Sequence, residues 1–231
     1  FENIAAYPEH VLTAMHYDEL PRLEGTVWEH IPAASVWDNL TPKGEVRNLK
    51  GRPAVAAYRE HNGEPFHYVV TSYDERGRVE AFLRYTENLG YDAVYYTYNS
   101  ANQVLSVRVC DPLRQYATWY GYDANGRMNK MWTLLGANGT GLGTGTPSYP
   151  TPLTKPNQED MQYTYDQMGR VEQMRYLPED VLTRYRYNER SWLDSMFAID
   201  ASSPTDTVFK QRLSRDARGH ITGQRSLQMG Q

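Results

Sequence analysis

Tyr163-Thr164-Tyr165-Asp166-Gln167-Met168-Gly169-Arg170-Val171 holds the reading that decides the fold. Asp166 suits the first position of a type I turn, where its carboxylate accepts a hydrogen bond from the backbone two residues on. Gly169 supplies the left-handed residue that ends the turn. The product is a three-residue hairpin loop with a bulge, and counting outward sets Tyr165 against Val171. The same cassette stands at Tyr73-Asp74-Glu75-Arg76-Gly77, Tyr98-Asn99-Ser100-Ala101-Asn102, Tyr122-Asp123-Ala124-Asn125-Gly126 and Tyr187-Asn188-Glu189-Arg190-Ser191. A sixth, Arg215-Asp216-Ala217-Arg218-Gly219, has lost its tyrosine. From Asp74 the steps are 25, 24, 43, 22 and 28 residues, enough for two strands and two connections each. Six consecutive hairpins follow.

Each cassette sets an aromatic ring opposite an aliphatic chain: Tyr73 and Val79, Tyr98 and Val104, Tyr122 and Met128, Tyr187 and Leu193. Such pairs contribute roughly 0.2 to 1 kcal/mol apiece, and they fix register because a one-residue slip turns every tyrosine to the other face. Tyr96, Tyr120, Tyr163 and Tyr185 continue the stripe. Asp74 with Arg78, Asp123 with Arg127 and Asp166 with Arg170 read as exposed, weak ion pairs. Asn102 tolerates the left-handed conformation; Ser191 tolerates it less well, so its turn is expected to be strained or of another type. Tyr17-Asp18-Glu19-Leu20-Pro21 is excluded from the series because the ring of Pro21 fixes φ negative.

Four stretches emerge: irregular lead-in strands over 1–65, hairpins over 66–135, a Gly/Thr/Pro-rich insertion over 136–160 and hairpins over 161–231. The first is broken by Pro8, Pro21, Pro32, Pro42 and Pro53 and shows no helical period. Asn62-Gly63 marks a two-residue hairpin turn. The insertion reads as a mobile surface loop, and its glycines at 139, 141, 143 and 145 fit no phosphate-binding pattern. Twelve strands at about 4.8 Å spacing span about 58 Å, so the sheet is expected to curve or to continue into further chain.

Leu, Ile, Val and Phe supply only 42 of 231 residues, a fraction that usually signals disorder. A net charge of -4 together with 19 Tyr and 5 Trp argues instead for an aromatic core. Scattered charge implies no nucleic-acid partner, and the short apolar runs imply no membrane span. Phe1 in first place reads as a processed or excised start. The lone Cys110 excludes an internal disulfide and reads as a buried thiol.

Glu60, His61, Glu64 and His67 are the densest group of candidate metal ligands, yet they lack ligand spacing and fall at a hairpin turn. No nucleophile elbow occurs, and each repeat acid already has a turn role. No cofactor, metal or catalytic residue is expected. Asn39-Leu40-Thr41 and Asn138-Gly139-Thr140 match glycosylation acceptors, a pattern that arises readily by chance.

The unit Y-x-Y-D-x-x-G-R, close to consensus at 120–128 and 163–171, resembles the YD repeat of Rhs proteins, and the likeness covers roughly residues 68 to 225. Tyr185-Arg186-Tyr187-Asn188-Glu189-Arg190-Ser191-Trp192-Leu193 is similar to a form found in large Rhs-like proteins of Bacteroidota. The resemblance implies an all-β chain of hairpins in a curved, spiralling sheet, part of a hollow shell around a toxin or effector polypeptide. The partners it implies are the rest of a larger exported, secreted or cell-surface polypeptide, neighbouring shell chains and the enclosed effector. The family's D-P-x-G self-cleavage element is not matched, since Asp111-Pro112 runs into Leu113-Arg114. A carbohydrate-binding or adhesion module, with glycans as partners of the tyrosines, is the alternative.

Overall fold

A computed structural model describes residues 14–20, 31–59, 65–137, 147–203 and 207–228. It is nearly all β. The strands are β1 (Ala14–Tyr17), β2 (Pro53–Tyr58), β3 (His67–Tyr73), β4 (Val79–Thr86), β5 (Gly90–Tyr98), β6 (Val104–Cys110) and β7 (Arg114–Tyr122). They continue as β8 (Met128–Ala137), β9 (Met161–Tyr165), β10 (Val171–Tyr176), β11 (Val181–Tyr187), β12 (Leu193–Asp200), β13 (Thr207–Arg215) and β14 (Ile221–Gln228), with one short helix, α1 (Ala34–Asn39). Hydrogen-bonded order is chain order, and β1 and β14 are its two ends. The all-β class and the consecutive hairpins are as the sequence reads.

All six turns form where the cassettes place them. Tyr73 pairs with Val79, Tyr98 with Val104, Tyr165 with Val171, Tyr187 with Leu193 and Arg215 with Ile221, each beside a bulge. Left-handed backbone falls at Gly77, Asn102, Gly126, Gly169, Ser191 and Gly219. Ser191 does not change the turn type: at φ 63 it makes the same pair of loop hydrogen bonds as the others.

Among the described residues a seventh cassette turn stands beside the six, formed by Tyr17-Asp18 not with the residues that follow it in sequence but with Gly51-Arg52-Pro53. Tyr17 pairs with Pro53 beside a bulge, as Tyr73 does with Val79. The amide of Asp18 donates to the carbonyl of Arg52 at 3.2 Å, as that of Asp74 donates to Arg78. The first cassette is therefore split: Tyr17-Asp18 is one half and Gly51-Arg52-Pro53 the other, with residues 19–50 inserted into its turn.

By contact density the chain divides into two units, 1–118 with 134–154 and 119–133 with 155–231. In the first, alternate residues of adjacent strands build one buried ladder, Val55, Val70, Leu83, Ala93 and Cys110. The insert from the split turn covers it. Trp37 of α1 and Leu40 are fully buried, Trp37 meets Tyr91 edge-on at 5.8 Å, and Tyr95 donates its hydroxyl to the carbonyl of Leu40. α1 carries no side-chain cap, so packing rather than local sequence holds it. Residues 31–59 are thus a helix-bearing lid plus β2, not irregular strands throughout.

The 136–160 segment is also corrected. Within the first unit Pro147 and Pro150 are buried, the amide of Tyr149 donates to Asn39 O at 2.7 Å, and Tyr149 meets Tyr95 edge-on at 5.1 Å. Residues 147–150 are core cover, whereas most of 151–158 is exposed, as a surface loop is. The glycines at 139, 141, 143 and 145, Asn138-Gly139-Thr140 and the Asn62-Gly63 turn lie outside the described residues; β2 and β3, which flank that turn, pair antiparallel.

The second unit is built differently. Among its described apolar residues only Trp132 and Ile199 are buried. One face carries Tyr163, Met174, Thr183, Ala198 and Phe209 in register, with Tyr185 opposite Met196. The other carries Arg184 beside Phe197 and Lys210, and Arg186, Ser195, Arg212 and Arg225 in line.

Candidate functional site: a clasp between successive hairpins

Each of the six contiguous turns begins in the same local way. The first-position side chain accepts from two backbone amides: Asp74 from Arg76 and Arg78, Asn99 from Ala101 and Gln103, and Asp123 from Asn125 and Arg127. Asp166 accepts from Met168 and Arg170, Asn188 from Arg190 and Trp192, and Asp216 from Arg218 and His220. A carboxylate oxygen left over in the aspartate turns takes an arginine fork: Arg78 Nε reaches Asp74 at 2.7 Å, Arg127 Nε reaches Asp123 at 2.8 Å and Arg170 Nε reaches Asp166 at 2.6 Å.

These pairs are not the exposed contacts the sequence implies. The side chains of Arg78 and Asp74 are 22% and 17% exposed, because each guanidinium is also covered by the tyrosine of the next hairpin. Arg78 lies 4.4 Å from the ring centre of Tyr98, Arg127 lies 4.5 Å from Tyr165 and Arg170 lies 4.4 Å from Tyr187. The same tyrosines donate their hydroxyls to the carbonyl just after the arginine: Tyr98 to Val79, Tyr165 to Met128 and Tyr187 to Val171. The split cassette obeys the rule, with Arg52 over Tyr73 at 5.3 Å and Tyr73 donating to Pro53 O. The links from Arg78, Arg127 and Arg170 each combine a charge-assisted fork, a cation–π contact and a hydroxyl bond, while Arg52 donates to Asn48 O in place of the fork.

Two further features belong to the clasp. The third turn residue donates to the second turn carbonyl of the following hairpin, Arg76 to Ser100 at 2.9 Å and Arg190 to Ala217 at 2.8 Å. The turn glycine also leaves room for the incoming side chain: a Cβ on Gly77 would meet Arg52 Nη2 at 2.1 Å, and one on Gly219 would meet Trp192 at 2.8 Å. The rigid Trp192 ring makes glycine necessary at 219 for clearance as well as for φ, whereas the end of the Arg52 side chain can shift aside at 77.

The last link exchanges its parts. Trp192 occupies the arginine position and Arg215 the tyrosine position, and Arg215 donates from Nε and Nη2 to Leu193 O at 3.3 Å, the bond a tyrosine hydroxyl makes elsewhere. Here both positions change together, whereas at the Asn99 turn Gln103 replaces the arginine while Tyr122 is kept.

The remaining candidates fall outside this arrangement. Glu60, His61 and Glu64 are outside the described residues, and His67 hydrogen-bonds Thr86 Oγ1 at 2.9 Å and stacks on Tyr58. Asp111 closes the tight β6–β7 connection, accepting from the amides of Leu113 and Arg114. Cys110 is fully buried, and burial pushes its thiol up to about 11. Burial likewise raises Tyr91 to about 12. Among the described residues no three His, Cys, Asp or Glu side chains gather to hold a metal ion, and no helix is long and apolar enough to cross a membrane.

The chain matches no protein-family model and no curated protein.

Proposed function

We propose that the chain is a section of a longer YD-repeat wall, part of an exported polypeptide of the Rhs kind, whose work is steric: it encloses or presents an effector polypeptide. One observation carries this reading. Each described link hands an arginine, tryptophan or carbonyl from one hairpin to the next, so the unit of construction is the link and the sheet grows by addition. The second unit supports it as well, since a sheet with half-exposed tyrosine and methionine side chains on one face and arginines on the other is short of cover. The tyrosine hydroxyls engaged in links favour a wall over a glycan platform.

The test is limited proteolysis with intact mass and light scattering, on the chain alone and on the chain expressed with its neighbouring polypeptide. The expected outcome is association or trimming of the second unit when alone, and resistance when joined. A protease-resistant monomer in isolation would overturn the reading.

A further inference from the structure

Arg218 holds the turn position from which Arg76 and Arg190 reach the next hairpin, and its guanidinium meets no described residue. His220 stands where Arg78, Arg127 and Arg170 stand, its ring held 3.0 Å from Asp216 as they are held by their own aspartates, and it is exposed. Ile221 holds the position whose carbonyl, in Val79, Met128 and Val171, receives a tyrosine hydroxyl; its side chain is 55% exposed, and its strand β14 ends the strand order. The donor, the ring and the acceptor of a link are therefore assembled on one strand edge.

We propose that the β14 edge is a docking surface for one further hairpin of the same kind. Its occupant is a strand that ends in tyrosine and enters an Asp- or Asn-x-x-Gly turn. The tyrosine hydroxyl donates to Ile221 O, the second turn carbonyl accepts from Arg218, and the turn glycine leaves space for His220. Inside the molecule the tyrosine hydroxyl bond occurs four times, the arginine-to-turn-carbonyl bond twice and the glycine clearance twice, so the partner is specified by chemistry rather than by an open apolar face. The proposal rests on the wall reading for the repeat but not for an enclosed effector.

The probe is a synthetic peptide of residues 161–176, which carries Tyr165 and the Asp166-Gln167-Met168-Gly169 turn. Hydrogen exchange is followed on the whole chain, with affinity measured in parallel. The expected result is slowed exchange of the β14 amides, with affinity reduced about five- to tenfold by Arg218→Ala in the chain and similarly by Tyr165→Phe in the peptide. Arg218 is exposed, so the variant chain retains its fold. Unchanged β14 exchange, or binding indifferent to both substitutions, overturns the proposal. Concentration-dependent association of the chain alone that is lost on Tyr17→Phe also overturns it, by placing the β1 of a second copy on the edge. A peptide that seats on β14 while no effector is enclosed leaves the edge standing and removes the enclosure.

Discussion

The guanidinium of Arg170 lies 4.4 Å from the ring centre of Tyr187, seventeen residues on, while the hydroxyl of Tyr187 donates to Val171 O at 2.8 Å. One residue thus closes its own turn through Asp166 and grips the next hairpin. Tyr187→Phe is expected to lower stability by about 0.5 to 1.5 kcal/mol, the usual net value of a hydrogen bond. Arg170→Lys is expected to weaken the link nearly as much as Arg170→Ala, because an ammonium cannot present a fork to Asp166 and a flat face to the ring together. A double-mutant cycle in urea between Arg170→Ala and Tyr187→Phe should show positive coupling, and additivity would mean that the two contacts are independent.

The exchanged link makes a sharper prediction. Trp192→Arg alone puts arginine at both positions of the link, and Arg215→Tyr alone puts an aromatic residue at both and removes the donors to Leu193 O. Each single variant is expected to unfold at lower urea than the parent. The double variant rebuilds the arrangement of Arg170 and Tyr187 and is expected to recover most of the loss. Equal midpoints for the double variant and the worse single variant would show that the positions do not act as a pair.

Ser191 and Asn102 both hold left-handed backbone, at φ 63 and φ 64, but differ in what surrounds them. Ser191→Gly removes the steric penalty and is expected to raise stability by about 1 kcal/mol. Asn102→Gly is expected to gain little, because Asn102 Oδ1 accepts from Arg78 at 2.8 Å and that bond is lost. Thermal midpoints of the two variants separate backbone strain from linkage.

The turns were legible because their causes lie within six residues: an acceptor on Asp or Asn, a left-handed residue three on, and an aromatic–aliphatic pair outside. The clasp was not, because Arg78 finds Tyr98 only after the intervening β4 and β5 have fixed the register. The split cassette hid for the same reason, since the residues 19–50 separate Asp18 from Arg52 and no local rule joins them. α1 was illegible in a different way: it is six residues long, uncapped and held by the burial of Trp37. Local chemistry specified the hairpins, and what joins and covers them required long-range contacts.

Acid should loosen the links first. Asp74 is held below its ordinary 3.8: burial pushes it up, but Arg78 and the amides of Arg78 and Arg76 outweigh that. Asp123 and Asp166 are lowered chiefly by Arg127 and Arg170. A carboxyl with its folded pKa below its unfolded value contributes stability that is complete above the unfolded value and is lost as pH falls through the folded one. Thermal midpoints are therefore expected to be level from pH 5 to 7 as far as these groups are concerned, and to fall below about pH 4. Asp123→Asn with Asp166→Asn keeps the turn acceptors, as Asn99 and Asn188 do naturally, and should flatten that fall. An acid limb identical in the parent and the double variant would assign it to other groups.

On the opposite side of the second unit's sheet from its tyrosines, Arg212 and Arg225 are direct cross-strand partners, and neither forms an ion pair with a described residue. Like charges placed opposite each other destabilise an antiparallel pair by up to about 1 kcal/mol. They line an open hollow of about 720 Å³ together with Arg190, Arg215, Trp192 and Asp194. Arg225→Glu turns the repulsion into attraction and is expected to raise the thermal midpoint at low salt. Screening by 1 M salt should shrink that gain, because the Debye length falls to about 3 Å. A gain that persists undiminished at high salt would trace to packing rather than charge, and no gain at low salt would mean that the two guanidinium groups already splay apart into solvent.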